Sequence, residues 1–111
     1  MKIIFPDLES LNKIRSSSSY SGLIIANDVK LEYISARNIG FSCYDKRYGT
    51  THSIIYYSYK KFPLSWSCDC KWASLKNSFC KHIYAVFYRL NKDPNFLPLI
   101  EKVKVNLREF I

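Results

Sequence analysis

At 111 residues the chain is long enough for one domain with a modest core, and 48% hydrophobic against 23% charged residues excludes a disordered polyelectrolyte. Seventeen basic against nine acidic residues give a net charge of +8, which favours phosphate-bearing partners. No apolar run approaches the ~20 residues of a membrane span, and the opening MKIIFPDLES meets a proline and two acids too early for a signal peptide. An intracellular, reducing compartment with no membrane role is therefore expected.

Residues 5–16 place Leu8, Leu11 and Ile14 at near-helical spacing behind Pro6, which predicts a short amphipathic helix. The run Ser16–Ser19 then reads as a flexible turn. From Tyr20 to Ser67 strands are expected in SGLIIA, VKLEYISA, IGFSCYD, THSIIYYSYK and LSWS, with turns at Asn27-Asp28, Asn38 and Gly40. KRYGT reads as the loop of a hairpin between Phe41–Asp45 and Thr51–Lys60, and Pro63 breaks the long strand that follows. Cys43 is expected to face the sheet interior as an ordinary apolar residue, and His52 to lie on the surface of the hairpin. A helix over Ser78–Asn91 stops at Asp93-Pro94. After Pro98, Leu99, Val103, Leu107 and Phe110 at steps of four, four and three predict a packing helix. The fold class is α+β: antiparallel hairpins lead into a strand–strand–helix unit, with flanking N- and C-terminal helices, in a single domain over residues 1–111.

Three of the four cysteines and one of the two histidines fall in the run SCDCKWASLKNSFCKHIYA, as Cys68, Cys70, Cys80 and His82. This C-x-C…C-x-H set holds the side chains that tetrahedral zinc takes, and three thiolates with one imidazole fill all four positions. A site filled in that way leaves no place for water or substrate, so one structural Zn2+ is expected. Zinc–sulfur bonds of ~2.3 Å require thiolates within roughly 4 Å of each other. Residues i and i+2 of a straight strand share a face but stand too far apart, so the chain must bend at Asp69, as near a hairpin tip. In a regular helix i and i+2 point to opposite sides, so Cys80 belongs at or just before a helix N-terminus, with His82 in the first turn. Asn77 or Ser78 would supply the N-cap. Disulfides fit poorly, because C-x-C closes a strained loop, and the usual redox spacing is C-x-x-C.

The pattern resembles the SWIM zinc finger, a ββα module defined by C-x-C, a variable spacer and C-x-H opening a helix. The resemblance rests on SWSCDC, a nine-residue spacer and CKHIYAVFYRL, and covers roughly residues 40–92. Phe79 departs from the small residue or proline expected before the second cysteine. The resemblance implies that Cys68, Cys70, Cys80 and His82 are the zinc ligands. It also implies DNA binding or protein–protein interaction, since such modules occur in transposases, helicase-like ATPases, a kinase and small partners of recombinase paralogues.

Charge is uneven along the chain. Residues 1–55 hold seven basic and five acidic side chains, net +2, whereas residues 56–111 hold ten and four, net +6. On the helix after the motif, Ile83, Val86, Phe87 and Leu90 join His82 on one side. Lys81, Tyr84, Tyr88 and Lys92 form the opposite stripe, a face suited to phosphates and bases. Lys71 and Lys76 in the spacer, and Lys60-Lys61 in the hairpin, would extend it. Trp66 and Trp72 are expected to wall the metal site from water. Tyr56, Tyr57 and Tyr59 alternate along one strand, so some face the core and others an outer sheet face that suits bases or a protein equally.

The functional expectation is a zinc-stabilised, non-catalytic nucleic-acid-binding module, DNA favoured, acting in repair, recombination or regulation. The alternative is an adaptor for a larger protein such as a recombinase-like ATPase. A small-molecule substrate and catalysis are not expected: there is no glycine-rich phosphate loop, no paired-carboxylate motif and no nucleophile–base arrangement.

Overall fold

The computed structural model describes residues 3–14, 16–70 and 79–100. Two helices come first, α1 (Leu8–Lys13) and α2 (Ser17–Ile25), and a 3-10 turn at Ala26–Asp28 leads into the sheet. Strands β1 (Val29–Ile34), β2 (Asn38–Asp45), β3 (Thr50–Tyr57) and β4 (Trp66–Cys68) follow, and then helix α3 (Lys81–Lys92). The four strands form an antiparallel meander in the order β1-β2-β3-β4. The class is α+β, with the metal-ligand residues at the end of β4 and the start of α3.

The period of two decides which face is core. Ile39, Phe41 and Cys43 of β2, Ile54 and Tyr56 of β3, and Trp66 and Cys68 of β4 are buried on one side. They meet Ile83, Val86, Phe87 and Leu90 of α3, with Phe96 and Ile100 beyond it. Trp66 is central: its ring lies 6.1 Å from Phe41 and 4.8 Å from Tyr56, and edge-on to Phe87 at 5.0 Å. The N-terminal segment is stapled over this core from distant parts of the chain. Trp66 Nε1 donates to the Ile4 carbonyl at 2.9 Å, Ile4 N–H donates to the Tyr56 hydroxyl, and Asn91 Nδ2 donates to the Pro6 carbonyl.

The α1 helix starts where Asp7 caps it, its carboxylate accepting from Ser10 N–H at 2.8 Å, and it buries Leu11. Burial lifts the Asp7 pKa slightly, but the Ser10 hydrogen bonds outweigh it and hold that carboxyl below the usual range.

The segment SGLIIA corrects the expectation of a strand, and Ser16–Ser19 that of a flexible turn: both belong to α2. Ser16 is the N-cap, its Oγ accepting from Ser19 N–H at 3.2 Å. A short apolar run of this kind has no period that separates strand from packed helix, and here tertiary packing decides. Gly22 lets α2 press onto α3, and the Ser19 hydroxyl meets the Tyr88 hydroxyl at 2.8 Å. A Cβ at Gly22 would stand 2.6 Å from Tyr84 Cβ and 2.7 Å from the Lys81 carbonyl oxygen. Because backbone as well as side chain is in the way, Gly22→Ala should destabilise the protein by about 1–3 kcal/mol. Urea unfolding of the zinc-loaded variant checks this, and an unchanged midpoint would contradict the tight crossing.

Asn38 and Gly40 lie inside β2 instead of marking a turn. The reversal sits at Ser35–Arg37, closed by Ser35 N–H to the Asn38 carbonyl and Asn38 N–H to Ser35 Oγ. The hairpin loop at Lys46–Gly49 and the position of Pro63 in the β3–β4 connection agree with expectation. A helical turn at residues 96–100 runs across Pro98, and Val103, Leu107 and Phe110 of the packing helix expected after Pro98 lie outside the described residues.

Candidate metal centre

Cys68 ends β4, and the chain bends at Asp69–Cys70 as the spacing requires. Asp69 N–H donates to the Ser53 carbonyl, which turns Cys70 back towards Cys68. Cys80 is the N-cap of α3, with extended backbone (φ −84°, ψ 172°), so it escapes the helical geometry that would separate it from His82. Its own carbonyl accepts the first helical bond, from Tyr84 N–H at 3.1 Å. Asn77 and Ser78, the alternative caps, lie outside the described residues.

The ligand atoms of Cys68, Cys70, Cys80 and His82 all lie within 4.8 Å of one another, and all four residues are buried. His82 Nδ1 faces the sulfurs, 3.8 Å from both Cys68 Sγ and Cys80 Sγ. Bond lengths of ~2.3 Å to sulfur and ~2.0–2.1 Å to nitrogen set tetrahedron edges of roughly 3.6–3.8 Å, which matches. No cysteine is in a disulfide, and three buried sulfurs closing on one imidazole are the soft donor set that zinc takes. The Cys68 hydrogen bond holds the Cys80 pKa down to about 4 against its own burial, with His82, Ile83 N–H and Cys70 adding to the effect. The same bond, together with burial, pushes Cys68 up. Cysteine binds a metal as the thiolate, so occupation of the site would release the thiol protons.

The family model of the SWIM zinc finger matches residues 62–91. The chain carries a SWIM zinc finger. Comparison with curated proteins and with solved structures gives no match. Cys68, Cys70, Cys80 and His82 fit one structural zinc ion in this finger, whose bound charge would stabilise the thiolates and join β4 to α3. A finger of this kind is a binding module, generally non-catalytic. No described helix is long and apolar enough to cross a membrane.

Two side chains that shape the SWIM finger escape sequence reasoning. His52 is expected on the surface, yet it stacks on the ligand ring of His82 with centroids 4.2 Å apart, and its Nδ1 meets Asp69 Oδ1 at 2.9 Å. It therefore braces the ligand imidazole, while Asp69 fixes the bend between two ligand cysteines. The signal was its phase, since His52, Ile54 and Tyr56 alternate onto one face of β3.

Asp45 is the other. It follows Ile39, Phe41 and Cys43 in the inward phase of β2 and is fully buried. Its Oδ2 lies 2.6 Å from Lys81 Nζ, and its Oδ1 accepts from Arg47 N–H at 3.1 Å and faces Arg47 Nε at 3.4 Å. Burial raises the Asp45 pKa, but Lys81 and Arg47 outweigh it and hold it below the usual carboxylate range. Lys81 also lies over the Tyr48 ring at 4.2 Å. The residue between Cys80 and His82 is thereby tied to the β2–β3 hairpin.

The stripe expected to face nucleic acid is largely covered. Tyr84 and Tyr88 are buried under α2, where Gly22 and Ser19 touch them, and burial pushes the Tyr84 hydroxyl up in pKa. Lys81 is engaged by Asp45, whereas Lys92 remains exposed. Lys71, Lys76 and Trp72 lie outside the described residues. Arg89 is occupied as well, pairing with Asp93 at 3.0 Å and donating to the Asn27 and Val29 carbonyls. Backbone N–H groups of Asn95 and Phe96, with Arg89, keep the Asp93 carboxyl low. Cys43 sits in the core as expected, with burial and nearby negative charge raising its pKa to about 12.

Proposed function

We propose that the protein is a zinc-stabilised, non-catalytic module that binds nucleic acid, DNA in preference, through its phosphates. One observation carries this reading: among the described residues, most of the basic side chains are not consumed by internal ion pairs. Lys30, Arg37, Lys46, Lys60, Lys61 and Lys92 are exposed and make no ion pair with described residues. Lys81, Arg47 and Arg89 serve the fold, and Lys13 pairs with Glu9 at the surface. The zinc-bound finger supplies a rigid frame, and the exposed cations meet phosphate oxygens and release counterions.

Anisotropy of labelled DNA titrated with zinc-loaded protein over a salt series tests it. Log affinity should fall linearly with log salt, by about 0.7–0.9 per phosphate engaged. Absence of binding at low salt would overturn the reading in favour of an adaptor. That second reading has its own observation: Tyr20, Leu23 and Ile24 stand exposed at i, i+3 and i+4 on the outer side of α2, an apolar stripe of the kind a partner protein covers.

A further inference from the structure

With the finger helix turned inwards, the surface left for bases is on the opposite side of the molecule. Helix α3 lies against the buried phase of the sheet, and α1 and α2 pack on α3. Among the described residues no element packs on the other phase, where Tyr33, Ile55 and Tyr57 stand. We propose that this outer sheet face, with the aromatic–cationic corner at its end, binds single-stranded nucleic acid by stacking unpaired bases on Tyr33 and Tyr59 while Arg37 and Lys60 hold the phosphates. The inference rests on the nucleic-acid reading above and narrows it to a strand state and a surface.

The register places the rings. Tyr33 pairs with Gly40, and Gly40 with Ile55, so the glycine lies between them in one row across the sheet. Ring carbons Cδ1, Cε1 and Cζ of Tyr33 occupy the place where a Cβ at Gly40 would stand, so the ring rests on bare backbone and the residue is still 45% exposed. Tyr57 is the diagonal neighbour of that position, about 7–8 Å away. Tyr59 follows beyond the strand end, edge-on to Tyr57 at 5.9 Å and 62% exposed. A line of partly exposed rings flanked by cations is a platform for successive splayed bases once the cations turn to the phosphates.

The charge is complementary. The turn carrying Arg37 and the turn carrying Lys60 are joined by Ser58 N–H and Oγ, both donating to the Arg37 carbonyl. Arg37 lies 5.7 Å from the Tyr59 ring centre, and Lys60 lies 4.4 Å from Tyr57 and 6.0 Å from Tyr59. Lys30 stands on the same face and Lys61 in the same turn, and the acid on this face, Glu32, already accepts from Ser42. Cations interleaved with rings suit a strand that presents phosphates and bases together. Stacked duplex bases cannot reach rings on a sheet surface, which is why the geometry selects single strands.

The test uses the zinc-loaded full chain, with labelled oligothymidylate and oligouridylate of about 15 nucleotides and a duplex of equal length. Single strands should bind about tenfold or more tightly than duplex, and Tyr33→Ala with Tyr59→Ala should weaken them roughly 5- to 150-fold per base unstacked. Tyr20→Ala, 62% exposed on the helical side, should leave affinity unchanged. Should the Tyr33 substitution fail to fold, Tyr59→Ala with Arg37→Ala carries the test, with a lowered salt slope as a second readout. A preference between the two single strands assigns the natural source as DNA or RNA, and either supports the proposal. Parent-like affinity of the tyrosine variants, or equal binding of duplex, would overturn this surface while leaving nucleic-acid binding intact. Failure of every probe to bind would overturn both.

Discussion

Cys80→Ser should abolish stoichiometric zinc and, with it, the cooperative thermal transition of residues 64–92. Structural zinc contributes an apparent ~10–16 kcal/mol in finger peptides, against about 5–15 kcal/mol for the whole stability of a domain. The ligand contribution is thus of the size of the entire folding free energy. The geometry makes Cys80 the most exacting ligand. It is both a metal donor and the N-cap of α3, and its sulfur lies 3.8 Å from the Nδ1 of His82. Serine keeps the cap but not the soft donor, so the substitution separates metal binding from helix initiation. Metal analysis and a calorimetric scan are the measurements, and a zinc-free variant with an unchanged transition would refute a structural role for the ion.

Lys81→Met should destabilise the zinc-loaded protein by about 3–5 kcal/mol, because it strands a fully buried carboxylate. Arg47 alone would remain beside Asp45, at 3.4 Å and partly exposed. Combining it with Asp45→Asn should recover much of the loss, since the uncompensated charge goes with the partner. The pH dependence has a definite sign. The folded pKa of Asp45 lies below its unfolded value near ~3.9, so its stabilisation is present above that value and is lost as pH falls through the lower folded pKa. The difference in stability between wild type and Asp45→Asn should therefore narrow on acidification. Urea unfolding at several pH values measures it, and a gap that widens towards acid would disprove the assignment.

The metal site was legible because its constraint is chemical: four donor side chains at two short spacings leave few arrangements around one ion. The strands were legible from runs rich in β-branched and aromatic residues bounded by turn residues, and β1 to β4 fall within such runs. Helix α2 was not, because Ile24-Ile25 obeys neither period. Its identity comes from Ser16 as cap and from Gly22 admitting a neighbouring helix, a contact no local pattern contains. The burial of Tyr84 and Tyr88 was hidden for the same reason. Tyr84 and Tyr88 have polar tips, which a helical wheel reads as solvent-facing, but Ser19 supplies Tyr88 a buried partner from sixty-nine residues away. Asp45 likewise read as a hairpin-end residue until Lys81 was found against it.

The N-terminal staple carries a consequence for how the protein is made. Ile4 and Pro6 are synthesised before their hydrogen-bond partners Tyr56, Trp66 and Asn91, from which they are separated by 52, 62 and 85 residues. Until those partners have emerged, the segment has nothing to dock on, and loop closure over such separations is slow. This segment is therefore made ahead of the residues it docks on and takes its place only after them. During that interval its apolar residues Ile3, Ile4 and Phe5 are open to chaperones and to other nascent chains.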